Sequence, residues 1–183
     1  LVHLADLSEL KMLDLSLTMI SDAGLQHLAK LKKLERLLLW QSKVEGPGFD
    51  QLTQLRKLAT VGLKMTRVND RGVASLARLP ALRTLDLRFT AITDQSFTLL
   101  SRARKLEVLI AVGTRITDKG VQQIARVPTL TALDISQTQV TDMGALSLSR
   151  MPRLTRLGIA QTQIGERGFT VLQKANPGLR VFR

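Results

Sequence analysis

Residues 82–105 read "LRTLDLRFTAITDQSFTLLSRARK". Numbered 1 to 24, the stretch places Leu82, Leu85 and Leu87 at positions 1, 4 and 6, the alternation of a half-buried strand. The same pattern recurs upstream as "LKMLDLSLTMISDAGLQHLAKLKK" at 10–33 and downstream as "LTALDISQTQVTDMGALSLSRMPR" at 130–153. In the upstream copy Leu25, Leu28, Ala29 and Leu31, at positions 16, 19, 20 and 22, follow a helical period. Starts fall at Leu10, Leu34, Leu58, Leu82, Leu106, Leu130 and Leu154, a constant spacing of 24. Residues 1–9 match the back half of a preceding repeat. "LRVFR" at 179–183 reads as one more short strand, displaced by one residue by "ANPG".

One strand and one helix per 24 residues predicts an α/β solenoid in a single domain, 1–183. It has seven full repeats at 10–178, a partial repeat at 1–9 and a closing strand at 179–183. Strands stack about 4.8 Å apart and helices need roughly 8–10 Å. The stack therefore curves, with a parallel sheet on its concave face and helices on its convex face. Leu1 opens in mid-repeat without a polar cap, so the reading expects a fragment of a chain that extends N-terminally. Position 9 is Thr in six repeats and Ser42 in the other. Its hydroxyl is expected to satisfy buried loop backbone.

The pattern LxxLxLxxT-x-[IV] resembles the leucine-rich repeat. The strings "TAITDQSF", "TRITDKGV" and "TQVTDMGA" resemble a bacterial subtype with TxITDxGL repeats and, more distantly, the repeats of F-box receptors. The resemblance covers essentially the whole chain. It implies a scaffold that binds protein partners without catalysis, or the substrate-recognition part of a ubiquitin-ligase-like or bacterial effector assembly.

Aromatic residues make up 3% of the chain, so the core must be aliphatic. The absence of cysteine excludes disulfides and thiolate sites and leaves the compartment open. No apolar run approaches the ~18 residues of a membrane span, so no membrane insertion is expected. His3 and His27, both at position 18, have no neighbouring carboxylate and read as exposed helix residues. The concave acids Asp14, Asp86 and Asp134 share position 5 with no base beside them. "GPGF" at 46–49 lacks the Gly and Lys of a phosphate loop, and Gly46–Pro47 reads as a helix entry. Hence no enzyme, metal or cofactor is expected.

Net charge is +12. Position 13 is acidic in six of seven repeats, ahead of the helix. Position 21 is basic in six of seven (Lys30, Arg78, Arg102, Arg126, Arg150 and Lys174), where bases complement a helix C-terminus. The bases form one rim, either simply solvated or binding nucleic acid or another acidic polymer. No aromatic residue interleaves with it to stack bases.

Positions 3, 5, 7 and 8 face the concave side. There Leu38, Trp40, Lys64, Met65, Arg88, Phe89, Val108, Ile110 and Val112 are expected to form a contiguous apolar-and-basic patch for a protein partner. The plainer reading is that they shield the sheet. Phe49, Phe97 and Phe169, at position 16, are assigned to the core and Phe182 to the terminus.

Overall fold

The computed structural model describes residue 4 and residues 6–183. Eight strands lie parallel in one sheet, in chain order: β1 Met12–Asp14, β2 Arg36–Leu38, β3 Thr60–Gly62, β4 Thr84–Asp86, β5 Val108–Ile110, β6 Ala132–Asp134, β7 Arg156–Gly158 and β8 Arg180–Phe182. Each covers positions 3–5, but the ladder between repeats is longer. The Leu15 N–H donates to the Leu38 carbonyl and the Leu17 N–H to the Trp40 carbonyl, and the same pair of bonds recurs along the stack.

The register stays at 24 to the end: Arg156 pairs with Arg180 and Leu157 with Val181. The expected displacement of the last strand is therefore wrong. "ANPG" keeps the count, and Phe182 falls at position 5, on the concave face.

From the third repeat on, each repeat carries one α-helix. These are α2 Asp70–Leu76, α3 Asp94–Leu100, α4 Asp118–Ile124, α5 Asp142–Leu148 and α6 Glu166–Ala175. In the first repeat α1, Asp22–Leu25, runs into a 3-10 turn, Gln26–Lys30, and the second repeat has only a 3-10 helix, Pro47–Leu52, entered through Gly46 and Pro47. Among the described residues no helix is long and apolar enough to cross a membrane.

Positions 1, 4, 6, 11, 16, 19 and 22 fill the space between sheet and helices, as with Leu34, Leu37, Leu39, Val44, Phe49, Leu52 and Leu55. Phe49 and Phe97 are fully buried. Phe169 is only half-buried, because no further helix covers it; the Arg183 guanidinium lies 4.7 Å from its ring centroid instead. All seven position-9 hydroxyls donate to the position-6 carbonyl of their own repeat, at 2.6 to 2.7 Å.

The acids of position 13 act across repeats. Asp118 accepts from the Thr141 N–H at 2.8 Å, the Thr141 hydroxyl at 2.7 Å and the Gly144 N–H at 2.9 Å. It thus caps the start of the next helix, whose N–H groups have no partner within their own helix. Asp22, Asp70, Asp94 and Asp142 do the same for the repeats that follow them. Side chains at position 15 are small for this reason: a Cβ on Gly120 would lie 2.5 Å from the Asp94 Oδ1.

Candidate functional site

The concave surface is built from positions 3, 5, 7 and 8, and position 8 has a feature that composition hides. All seven residues there are left-handed: Leu17, Gln41, Met65, Phe89, Gln137 and Gln161 have φ of 52° to 59°, and Gly113 has φ 66°. The turn throws each side chain outward at the strand end. Hence Leu17, Met65 and Phe89 are exposed.

Trp40 and Phe89 are both placed by a glycine in the next repeat. A Cβ on Gly62 would lie 2.3 Å from the Trp40 Nε1 and 2.9 Å from a Leu38 methyl. A Cβ on Gly113 would lie 2.4 Å from the Phe89 ring. Each ring therefore rests on bare backbone and still shows one face to solvent, with Trp40 36% and Phe89 44% exposed. Leu38, Lys64, Val108, Ile110 and Val112 are half-buried beside them.

Arg88, expected as a basic member of the patch, is paired within its own repeat. Its Nε reaches both Asp86 carboxylate oxygens, at 3.0 and 3.1 Å, and Nη2 reaches Oδ2 at 2.6 Å. Asp86 is only 6% exposed. The hydrogen bonds that Arg88 donates to Asp86 raise the guanidinium pKa above its ordinary value. The pair sits at positions 5 and 7 of the fourth repeat, between Leu38 and Trp40 on one side and Val108, Ile110 and Val112 on the other. The apolar surface therefore passes around it through Met65 and Phe89 at position 8.

Position-5 carboxylates serve their own turns. Asp14 accepts from the Ser16 N–H at 2.9 Å, and Asp134 from the Ser136 N–H at 3.0 Å and hydroxyl at 2.6 Å. The Ser16 hydrogen bonds hold the Asp14 carboxyl below its ordinary pKa. Among the described residues no group of three or more His, Asp or Glu could hold a metal ion. His27 is half-buried on the 3-10 turn, and His3 lies outside the described residues.

Sequence reasoning missed a recess on the same face. Ala132 on β6 and Gly158 on β7 form its floor, Val108, Ile110 and Phe182 its apolar walls, and Asp134 and Arg156 its polar edge. The signal was present as two small residues at positions 3 and 5 of adjacent repeats. Treating Phe182 as a terminal residue out of register hid its far wall.

On the rim, the helices end at position 19. Arg78, Arg102, Arg126 and Arg150 thus lie one residue beyond the C-cap residues Ala77, Ser101, Ala125 and Ser149. They stand just past the helix ends, while Lys30 and Lys174 lie in the last turn.

A family model described as Leucine Rich repeat matches residues 128–149. The structure is similar to that of an internalin (inlF) from Listeria monocytogenes, with a TM-score of 0.70 and 18% identity over 100% of this chain and 56% of that one. It is also similar to an internalin C2 (inlC2) from the same organism, with a TM-score of 0.68 and 21% identity over 97% of this chain and 82% of that one. The chain thus spans little more than half the length of the first. Among curated proteins none matches its sequence.

Proposed function

The chain is a leucine-rich-repeat solenoid, and we propose that it binds a protein partner on its concave face, without catalysis. The contact is centred on Trp40 and runs through Leu38, Met65 and Phe89 to Val108, Ile110 and Val112. One observation carries the reading: the two exposed aromatic rings are held against Gly62 and Gly113 with one face left to solvent. Rings held in this way lose little rotamer freedom on binding, which favours affinity. Large aromatic side chains in such settings are the usual energetic centres of interfaces.

Lys64 borders the contact. Arg88 has a different role from the aromatic residues, since its guanidinium is engaged by Asp86; it shapes the surface rather than reaching for the partner. The position-5 carboxylates are tied to their own turns, which supports a non-catalytic reading. Internalins are the solved structures this fold is similar to, and the partner's identity does not follow from them.

The test is affinity capture with the chain as bait, beside Trp40→Ala and Phe89→Ala baits of equal folded content by circular dichroism. A specific partner should be lost with Trp40→Ala and weakened with Phe89→Ala. A partner retained undiminished by both variants and by the double variant removes the concave site from consideration.

A further inference from the structure

The fold uses most of its capping acids and few of the bases on one rim. Positions 21 to 24 and 2 of the repeat form one rim, where the chain leaves each helix and enters the next strand. They hold fifteen of the 27 Lys and Arg but only four of the 15 Asp and Glu (Asp6, Glu9, Glu35 and Glu107). That rim thus carries +11 of the chain's +12. The remaining twelve bases and eleven acids nearly cancel over the rest of the molecule.

Use in the fold is equally lopsided. On the opposite rim Asp22, Asp70, Asp94, Asp118 and Asp142 all accept backbone N–H groups of the next repeat. On the basic rim only Lys33, Arg78 and Arg83 have a carboxylate partner among the described residues. The carbonyls at the helix ends are taken by backbone N–H groups, as with Arg78 N–H to Ser75 and Leu79 N–H to Leu76. Twelve like charges therefore lie along one edge with no structural partner, and they repel one another. A folded chain gains nothing from that arrangement by itself.

We propose that this rim is a second interaction surface, independent of the concave face, and that its occupant is the phosphate backbone of a nucleic-acid duplex. The charge forms a narrow band that runs from repeat to repeat, with five consecutive bases at position 21 from Arg78 to Lys174. A line of charge matches a linear polyanion better than it matches a membrane, and the exposed apolar residues of this band are four prolines (Pro80, Pro128, Pro152 and Pro177) with Leu7 and Ala175. Two shallow depressions in the band meet at Lys105. With no aromatic residue along it, contact is to phosphate and not to bases, so binding is blind to sequence.

Fluorescence anisotropy with a labelled DNA duplex of roughly 30 base pairs tests this, beside phosphatidylserine vesicles and heparin as alternative polyanions. The duplex should bind with an affinity that falls on the order of 10³-fold between about 50 and 200 mM salt, as for six phosphate contacts. The triple variant R102E/R126E/R150E should bind at least about tenfold more weakly, with a shallower salt slope. A triple variant of the opposite rim, R115E/K119E/R167E, changes net charge by the same amount and should bind within about twofold of the parent. Equal loss in both triples reduces the effect to net charge and overturns the proposal. So does no measurable duplex binding at low salt, or tighter binding of vesicles or heparin than of duplex. Thermal melting checks both variants: the basic-rim triple should melt no lower than the parent, since it relieves repulsion. Trp40 has no part in this assay, so its outcome is separable from that of the concave site.

Discussion

Gly62 decides how Trp40 is presented. A side chain there would meet the indole nitrogen, so Gly62→Val should displace the ring and weaken partner binding as Trp40→Ala does, although Trp40 itself remains; binding and tryptophan fluorescence would together show it. The Arg88–Asp86 pair makes a different prediction. Removing the guanidinium strands a 6%-exposed carboxylate, and breaking a buried pair in this way costs about 3–5 kcal/mol at full burial, less for a one-third exposed arginine. Arg88→Ala should therefore lower stability clearly, and Asp86→Asn in the same chain should restore part of the loss in urea unfolding. The position-9 hydroxyls were legible from sequence, because a polar residue recurring inside an apolar pattern must have a partner. Thr114→Val keeps the shape and strands the Ala111 carbonyl, so a loss of about 1–3 kcal/mol is expected. By contrast the Arg88 pairing was not legible. Residues at i and i+2 share a strand face, but nothing in the letters says which of several carboxylates an arginine will choose.

At the scale of elements, the strand and helix pattern could be read almost in full, since the period of 24 repeats seven times; only the helices of the first two repeats depart from it, as 3-10 turns. The left-handed turn at position 8 could not be read from glycine, which appears there once. It had a subtler signature: Leu, Gln, Met, Phe, Gly, Gln and Gln include no β-branched residue. Left-handed backbone costs roughly 1–2 kcal/mol for an L-residue, and a β-branched one is worse. Gln137→Val should thus destabilise by the excess of a β-branched residue over glutamine, while Gln137→Gly should not, as chemical denaturation of the two variants would reveal. The inter-repeat caps were half legible. Acids at position 13 point to a helix N-terminus, but a linear sequence suggests their own helix, whereas stacking puts the next one within reach. Asp118→Ala should cost about 1–2 kcal/mol through the loss of this cap, without touching its own helix start, where Thr117 accepts from the Lys119 N–H.

For the whole molecule, the uneven charge implies that salt stabilises it. Screening of the crowded rim should raise the melting temperature between about 50 and 500 mM sodium chloride, until surface pairs elsewhere are fully screened. The boundary between the second and third repeats stands apart. There Gly46 replaces the capping carboxylate, and exposed groups hold the two sides instead. Asp50 accepts from the Ser75 hydroxyl at 2.5 Å and from Arg78, and Glu45 lies 3.6 Å from Arg67. The Ser75 hydrogen bond first, with help from Arg78, keeps the Asp50 pKa below its ordinary 3.8. A carboxylate depressed on folding stabilises the fold above that ordinary value and ceases to do so as pH falls through its lower, folded value. Asp50 therefore supports this seam at neutral pH and less so in acid. In an array where each unit couples only to its neighbours, a single weak coupling divides a cooperative transition into two. The amides before Gly46 should exchange hydrogen ahead of those after Asp70, as a separate block, and more so as pH falls below the ordinary 3.8 of Asp50. One glycine in place of one aspartate then sets where the solenoid comes apart, and the two repeats ahead of it behave as a detachable module on a stable five-repeat body.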